Sequence, residues 1–265
     1  MGTAGFSRYH GRRTSDPLRG KLGQEMQIQI GVYRVRTLPE HLISKALLRC
    51  LAFLVLPAVL ALCSMNSATA QDMSLLRMAT DNVVSSSLDP AGIISLPNGT
   101  RHIGASRWPL FDSADCEVHV FVQADAAKNV ERLYWIQFEA YLPSKPDARY
   151  GYSGQTTELG GRSFFVRTRY GRGDEEGKPG SDWERVRQIV LQNGYRLPDE
   201  LLNVRLVNLL DAERRKELMI IYAENLGSYG ATVNGLLSGQ EQDLWASIEQ
   251  RVLEKAKQAI SVRFV

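Results

Sequence analysis

The sequence predicts an α+β fold, an antiparallel sheet of about five strands with two or three packed helices. Three observations predict it. Residues 117–142 hold two β-branched and aromatic runs joined by a hairpin-length link. Two later segments carry the Ser-x-x-Glu spacing that opens helices. Strand signals follow one another without regular strand–helix alternation.

Residues 1–70 stand apart from this fold. The apolar run Leu51 to Leu62 follows Lys45 and Arg49, and Ala68-Thr69-Ala70 offers small residues at the positions a signal peptidase reads. The expectation is an N-terminal extension with a cleavable signal peptide over 1–70 and one globular domain over 71–265. A run of this length containing Pro57 is too short for an anchor that needs about 20 apolar residues. The expected address is therefore periplasmic or secreted, with no membrane span after cleavage.

Removing the leader changes the charge. Nine of the 32 Lys and Arg and three of the 29 Asp and Glu lie before Gln71, so the remainder carries 23 basic and 26 acidic residues, net −3. The basic excess belongs to the leader, and no basic stripe remains to support a nucleic-acid partner. Cys116 is the one cysteine left and stands at the start of an apolar alternation, where it reads as a buried, inert thiol.

In chain order, Ser74 to Val84 reads as a short helix from the loose spacing of Leu75, Leu76, Ala79 and Val83. Residues 85–115, rich in Gly and Pro, read as an irregular approach with a tight turn at Asn98-Gly99. Strands are expected over 117–122, 133–142 and, after Gly160-Gly161, 163–170. Ser181-Asp182-Trp183-Glu184 opens a helix striped by Trp183, Val186, Ile189 and Val190 and closed by Gly194. Strands follow over 203–210, where helix is the competing reading, and 218–224. A last helix opens at Ser238-Gly239-Gln240-Glu241, with Leu244, Ile248, Val252, Ala256 and Ile260 on one face.

Chemical motifs are sparse. After the leader there are two histidines, His102 and His119, with no HExxH or CxxC spacing, so no metal or cofactor site is expected. Gly151-Tyr152-Ser153-Gly154-Gln155 is not the Gly-x-Ser-x-Gly elbow of a serine hydrolase. The loop 171–180 lacks the P-loop order of glycine, lysine and hydroxyl, and reads as a solvated loop.

The informative pattern lies on the sheet. Alternation assigns Val118, Val120, Val122, Tyr134, Ile136, Phe138, Ala140, Phe164, Val166 and Thr168 to a core face. The opposite face then carries Glu117, His119, Phe121 and Gln123, with Trp135, Gln137, Glu139 and Tyr141, and with Phe165, Arg167 and Arg169. It reads either as a solvated face of cross-strand ion pairs or as a binding surface, with rings for stacking and Arg167 or Arg169 for an anion. The binding residues expected on the second reading are His119, Trp135, Gln137, Glu139, Tyr141, Arg167 and Arg169. The functional expectation is an exported cell-envelope or secreted binding or accessory protein whose partner is a small polar ligand or an envelope protein. A small hydrolase using Glu139 as general acid or base is the alternative.

Overall fold

The computed structural model describes residues 73–265; the export signal expected over 1–70 lies outside the described residues. The described residues form eleven strands in two antiparallel sheets, with three α-helices packed on them. The expected α+β fold with a five-stranded sheet is therefore corrected to a mostly β architecture.

The larger sheet contains β4 (Arg101–Leu110), β5 (Ala114–Ala124), β6 (Val130–Tyr141), β7 (Thr156–Leu159), β8 (Arg162–Arg172), β9 (Glu200–Leu209) and β10 (Lys216–Asn225). Their spatial order is β4-β5-β6-β10-β9-β8-β7. The smaller sheet joins β1 (Met78–Thr80), β2 (Val83–Ser86) and β3 (Gly92–Ser95) to the C-terminal β11 (Ser261–Phe264), in the order β1-β2-β3-β11.

Sequence reading finds five long strands, β5, β6, β8, β9 and β10, and misses six others for identifiable reasons. β1, β2, β3, β7 and β11 span three or four residues each, too few for alternation to be counted. β4 contains Gly104 and Pro109, which read as breakers. Proline is tolerated there because β4 is an edge strand. The helix expected over Ser74 to Val84 is instead β1 and the start of β2, and its supposed stripe residues Leu75 and Leu76 are exposed.

Both faces of the large sheet are covered. On one, Tyr134, Ile136, Phe138, Leu206 and Ile220 pack against Val84, Ile94 and Val262 of the small sheet. The same core takes in Ile248, Val252 and Ala256 of α3 (Gln242–Ala259) and Val233 and Leu236 of α2 (Val233–Ser238). On the other, Val118, Val120, Trp135 and Met219 lie beneath Val186, Ile189 and Val190 of α1 (Asp182–Gln192). Cys116 is fully buried in this second core, and burial pushes its thiol well up.

Register overturns one expected face. β5 pairs with β6 so that Val118 opposes Gln137, Val120 opposes Trp135 and His119 opposes Ile136. Directly opposed residues share a face. The valines of β5 therefore lie with Trp135 and Gln137, while Glu117, His119 and Phe121 lie with Ile136 and Phe138. The alternation of β6 and β8 is in the expected phase and that of β5 is inverted. β5 is buried on both faces, so its pattern carries no inside and outside; a register irregularity at Gln123/Ala124 sets the phase.

Candidate functional site

The outward course of the second face begins on β6, whose alternation presents Trp135, Gln137, Glu139 and Tyr141 in line. The pairings of β10, β9 and β8 add Glu217, Met219 and Ile221, then Asn203, Arg205 and Val207, then Phe165, Arg167 and Arg169. α1 covers the β4–β5 end of this face. The segment carrying Tyr150 and Tyr152 crosses its far end, anchored by the Tyr150 N–H, which donates to the Arg214 carbonyl at 2.8 Å. Between these covers the β8–β9 side stays accessible.

Two hydrogen-bonded chains form the floor. The Trp135 indole N–H donates to Gln137 Oε1 (2.8 Å), the Gln137 amide donates to Glu139 Oε2 (2.7 Å), and the Tyr150 hydroxyl donates to Glu139 Oε1 (2.8 Å). Alongside, the Tyr152 hydroxyl donates to Glu217 Oε2 (2.7 Å) and accepts from Arg205 Nη2 (2.8 Å); the same guanidinium nitrogen lies 3.5 Å from Glu217 Oε1. Stacked rings link the two chains, Tyr141 on Tyr150 at 4.3 Å, Tyr150 on Tyr152 at 6.4 Å and Tyr152 on Phe165 at 5.7 Å.

Electrostatics follow from burial. Glu139 and Glu217 are directly opposed across the β6–β10 pair. Burial, reinforced by the charge of Glu139, pushes the Glu217 carboxyl up to about 7. Burial also raises Glu139 and Asp182. Desolvation, then repulsion from Arg167 and Arg205, lowers Arg169.

Two adjoining clefts open over this floor, and Arg205 lines both. One, of about 380 Å³, is bounded by Tyr152, Gln155, Phe165 and Arg167. The other, of about 330 Å³, is bounded by Trp135, Arg169, Asp182, Trp183, Met219 and Ile221. Both volumes suit small ligands, at the low end of the usual range of about 300–1,000 Å³.

Of the seven residues expected to bind, the structure brings Trp135, Gln137, Glu139, Tyr141, Arg167 and Arg169 onto one face. Trp135, Arg167 and Arg169 line the clefts, whereas Gln137 is fully buried in the floor. His119 is not among them. It is fully buried on the other face, with Nε2 2.9 Å from Glu117 Oε1. Glu117 also accepts the Leu76 and Arg77 backbone N–H groups at 2.9 Å, so this cluster clips the entry to β1 onto the sheet. Glu139, the expected acid or base, has both oxygens engaged by Tyr150 and Gln137.

Sequence reasoning missed Arg205, Glu217, Tyr152, Asp182 and Trp183. Arg205 and Glu217 carried a weak signal, a charge inside an apolar strand. Tyr152 and Asp182 carried none, because a loop and a helix start reach this face only in three dimensions. The loop 171–180 is held at Gly173, whose N–H donates to the Asp199 carbonyl, and at Glu175, whose carbonyl accepts the Trp183 indole N–H at 3.0 Å. Among the described residues no group of three or more side chains is arranged to hold a metal ion, and no helix is long and apolar enough to cross a membrane. No family model, no curated protein and no solved structure matches this chain.

Proposed function

We propose that this chain is an exported binding protein whose ligand site is the pair of clefts over β8 and β9. The observation that supports this reading is the meeting of rings and guanidinium groups around an accessible space, over a floor tied together by two hydrogen-bonded chains. Trp183 and Phe165 offer surfaces for stacking, and Arg205 is held by Tyr152 and Glu217 before any ligand arrives. Glu139, the expected acid or base, has both oxygens held by Gln137 and Tyr150, which favours positioning over reaction. The export part rests on the leader sequence over 51–70.

The test is a thermal-shift and tryptophan-fluorescence survey of small polar compounds against the full chain and the Arg169→Ala variant. Binding should raise the melting temperature, by roughly RT ln(1 + [L]/Kd) in free energy, and change the tryptophan emission, to which Trp135 and Trp183 of the cleft contribute. Both effects should weaken in the variant. Ligands that stabilise both proteins equally would place binding elsewhere. Export is checked by the N-terminal mass of the mature product, expected to begin at Gln71.

The hydrolase reading is favoured by one observation, the opposed Glu139 and Glu217 carboxyls. Glu139→Gln should then abolish turnover while leaving ligand binding intact. On the binding reading the substitution changes no reaction, and any effect is confined to stability.

A further inference from the structure

The β8–β9 pairing sets Arg167 directly opposite Arg205, with Arg169 two residues along the same face. Like charges directly opposed across strands work against the sheet unless something neutralises them. The carboxylates of this face do so only in part. Glu139 is engaged by Gln137 and Tyr150, Glu217 by Tyr152 and at 3.5 Å by Arg205, and Asp182 Oδ1 by the Trp183 backbone N–H at 2.8 Å. Among the described residues, no carboxylate lies within ion-pair distance of Arg167 or Arg169. Arg205 Nε is buried without a partner.

A guanidinium presents a planar fork that matches the two oxygens of a carboxylate or phosphate. Beside Arg169 and Arg205 the cleft wall turns apolar, with Trp135, Trp183, Met219 and Ile221. We propose that the cleft takes a small molecule bearing an oxyanion on an aromatic or apolar body. The anion sits between Arg169 and Arg205 with Arg167 flanking it, and the body lies against Trp183 and Trp135. This assignment deepens the binding reading and rests on it. The anion supplies the negative charge that the opposed arginines lack, and the tie of Arg205 to Tyr152 holds one fork in place beforehand.

The test is an NMR titration of the full chain that follows arginine Nε–H and tryptophan indole signals. The probes are phenylacetate, phenyl phosphate, inorganic phosphate and neutral benzyl alcohol. Both aromatic anions should give saturable shifts at Arg205, Trp135 and Trp183 that weaken as salt is added. Inorganic phosphate should move the arginine signals alone, and benzyl alcohol neither. The stronger of the two aromatic anions identifies the oxyanion as carboxylate or phosphate. The R167A/R169A variant, altered at two exposed positions, should bind the aromatic anions about tenfold or more weakly. No saturable shift from either aromatic anion, or equal binding by R167A/R169A, overturns the assignment. A neutral compound that shifts the cleft signals equally in both proteins would refute the anion while leaving the binding reading standing. If compounds of every charge class leave the cleft signals unmoved, both fail.

Discussion

Glu217 is 1% exposed, faces Glu139 across the strand pair, and titrates at about 7 rather than near 4.5. Between those two pH values the folded chain holds a proton that the unfolded chain has released. Its contribution to stability is therefore complete below about pH 4.5 and is lost as pH rises through about 7. The full excursion is on the order of 3 kcal/mol, the product of the shift and 1.36 kcal/mol per pH unit. Glu217→Gln should flatten the rise in denaturant midpoint expected on acidification from pH 8 to 5, and an unchanged slope would assign that rise to other groups. The site residues legible in sequence were those in regular alternation on β6 and β8. His119 was misplaced because β5 is buried on both sides, and Tyr152 was invisible because its partner, Glu217, is 65 residues away.

The β7–β8 hairpin shows how an element depends on two adjacent glycines. Gly160 and Gly161 join the paired residues Leu159 and Arg162 with φ of +59° and +76°, the two positive angles of the tight turn that suits twisted strands. A Cβ at Gly160 would meet the Val262 carbonyl oxygen at 2.5 Å, whereas one at Gly161 meets nothing within 4 Å. Gly161→Ala should cost about 1 kcal/mol from backbone strain. Gly160→Ala should cost roughly 1–3 kcal/mol more, because β11 must also shift. Equal unfolding midpoints for the two variants would show that β11 yields freely. The helices show the limit of local signals. Ser181 Oγ accepts the Glu184 N–H at 3.2 Å and caps α1 as its spacing predicts. The same spacing at Ser238 to Glu241 does not open a helix: Ser238 ends α2, Gly239 turns left-handed at φ +83°, and the Glu241 carboxylate accepts the Thr232 N–H. The α3 N-terminus at Gln242 lacks a side-chain cap. Two identical spacings part company because tertiary contacts give the second glutamate a better partner.

Across the whole molecule, the small sheet is closed by strands from opposite ends of the described chain. β11 pairs with β3, and Val262, 7% exposed, joins Val84 and Ile94 in the core beneath the large sheet. Removing residues 261–265 would strip the β3 edge of its partner and uncover this core. The expected loss is at least about 2 kcal/mol from the buried valine alone, before the ladder is counted. Urea unfolding should show a lower midpoint for the truncated chain. The new edge of β3 should also make it more prone to associate, which light scattering would detect. An unchanged midpoint would mean that β11 only decorates the sheet. Its short length hid it from sequence reading, and its importance comes from a pairing partner more than 160 residues away.

The sequence by itself determined where the five long strands run, where α1 starts, and which residues of β6 and β8 share a face. These depend on period-two alternation and on a hydroxyl meeting a nearby N–H group, both properties of adjacent residues. Tertiary structure alone decided that short segments make a second sheet, that β5 turns its valines toward Trp135, and that Arg205, Tyr152 and Glu217 meet. Those outcomes rest on strand register and on pairing between distant segments. When both faces of a strand are buried, its own pattern has no outside to read, and only its neighbours fix which way it faces.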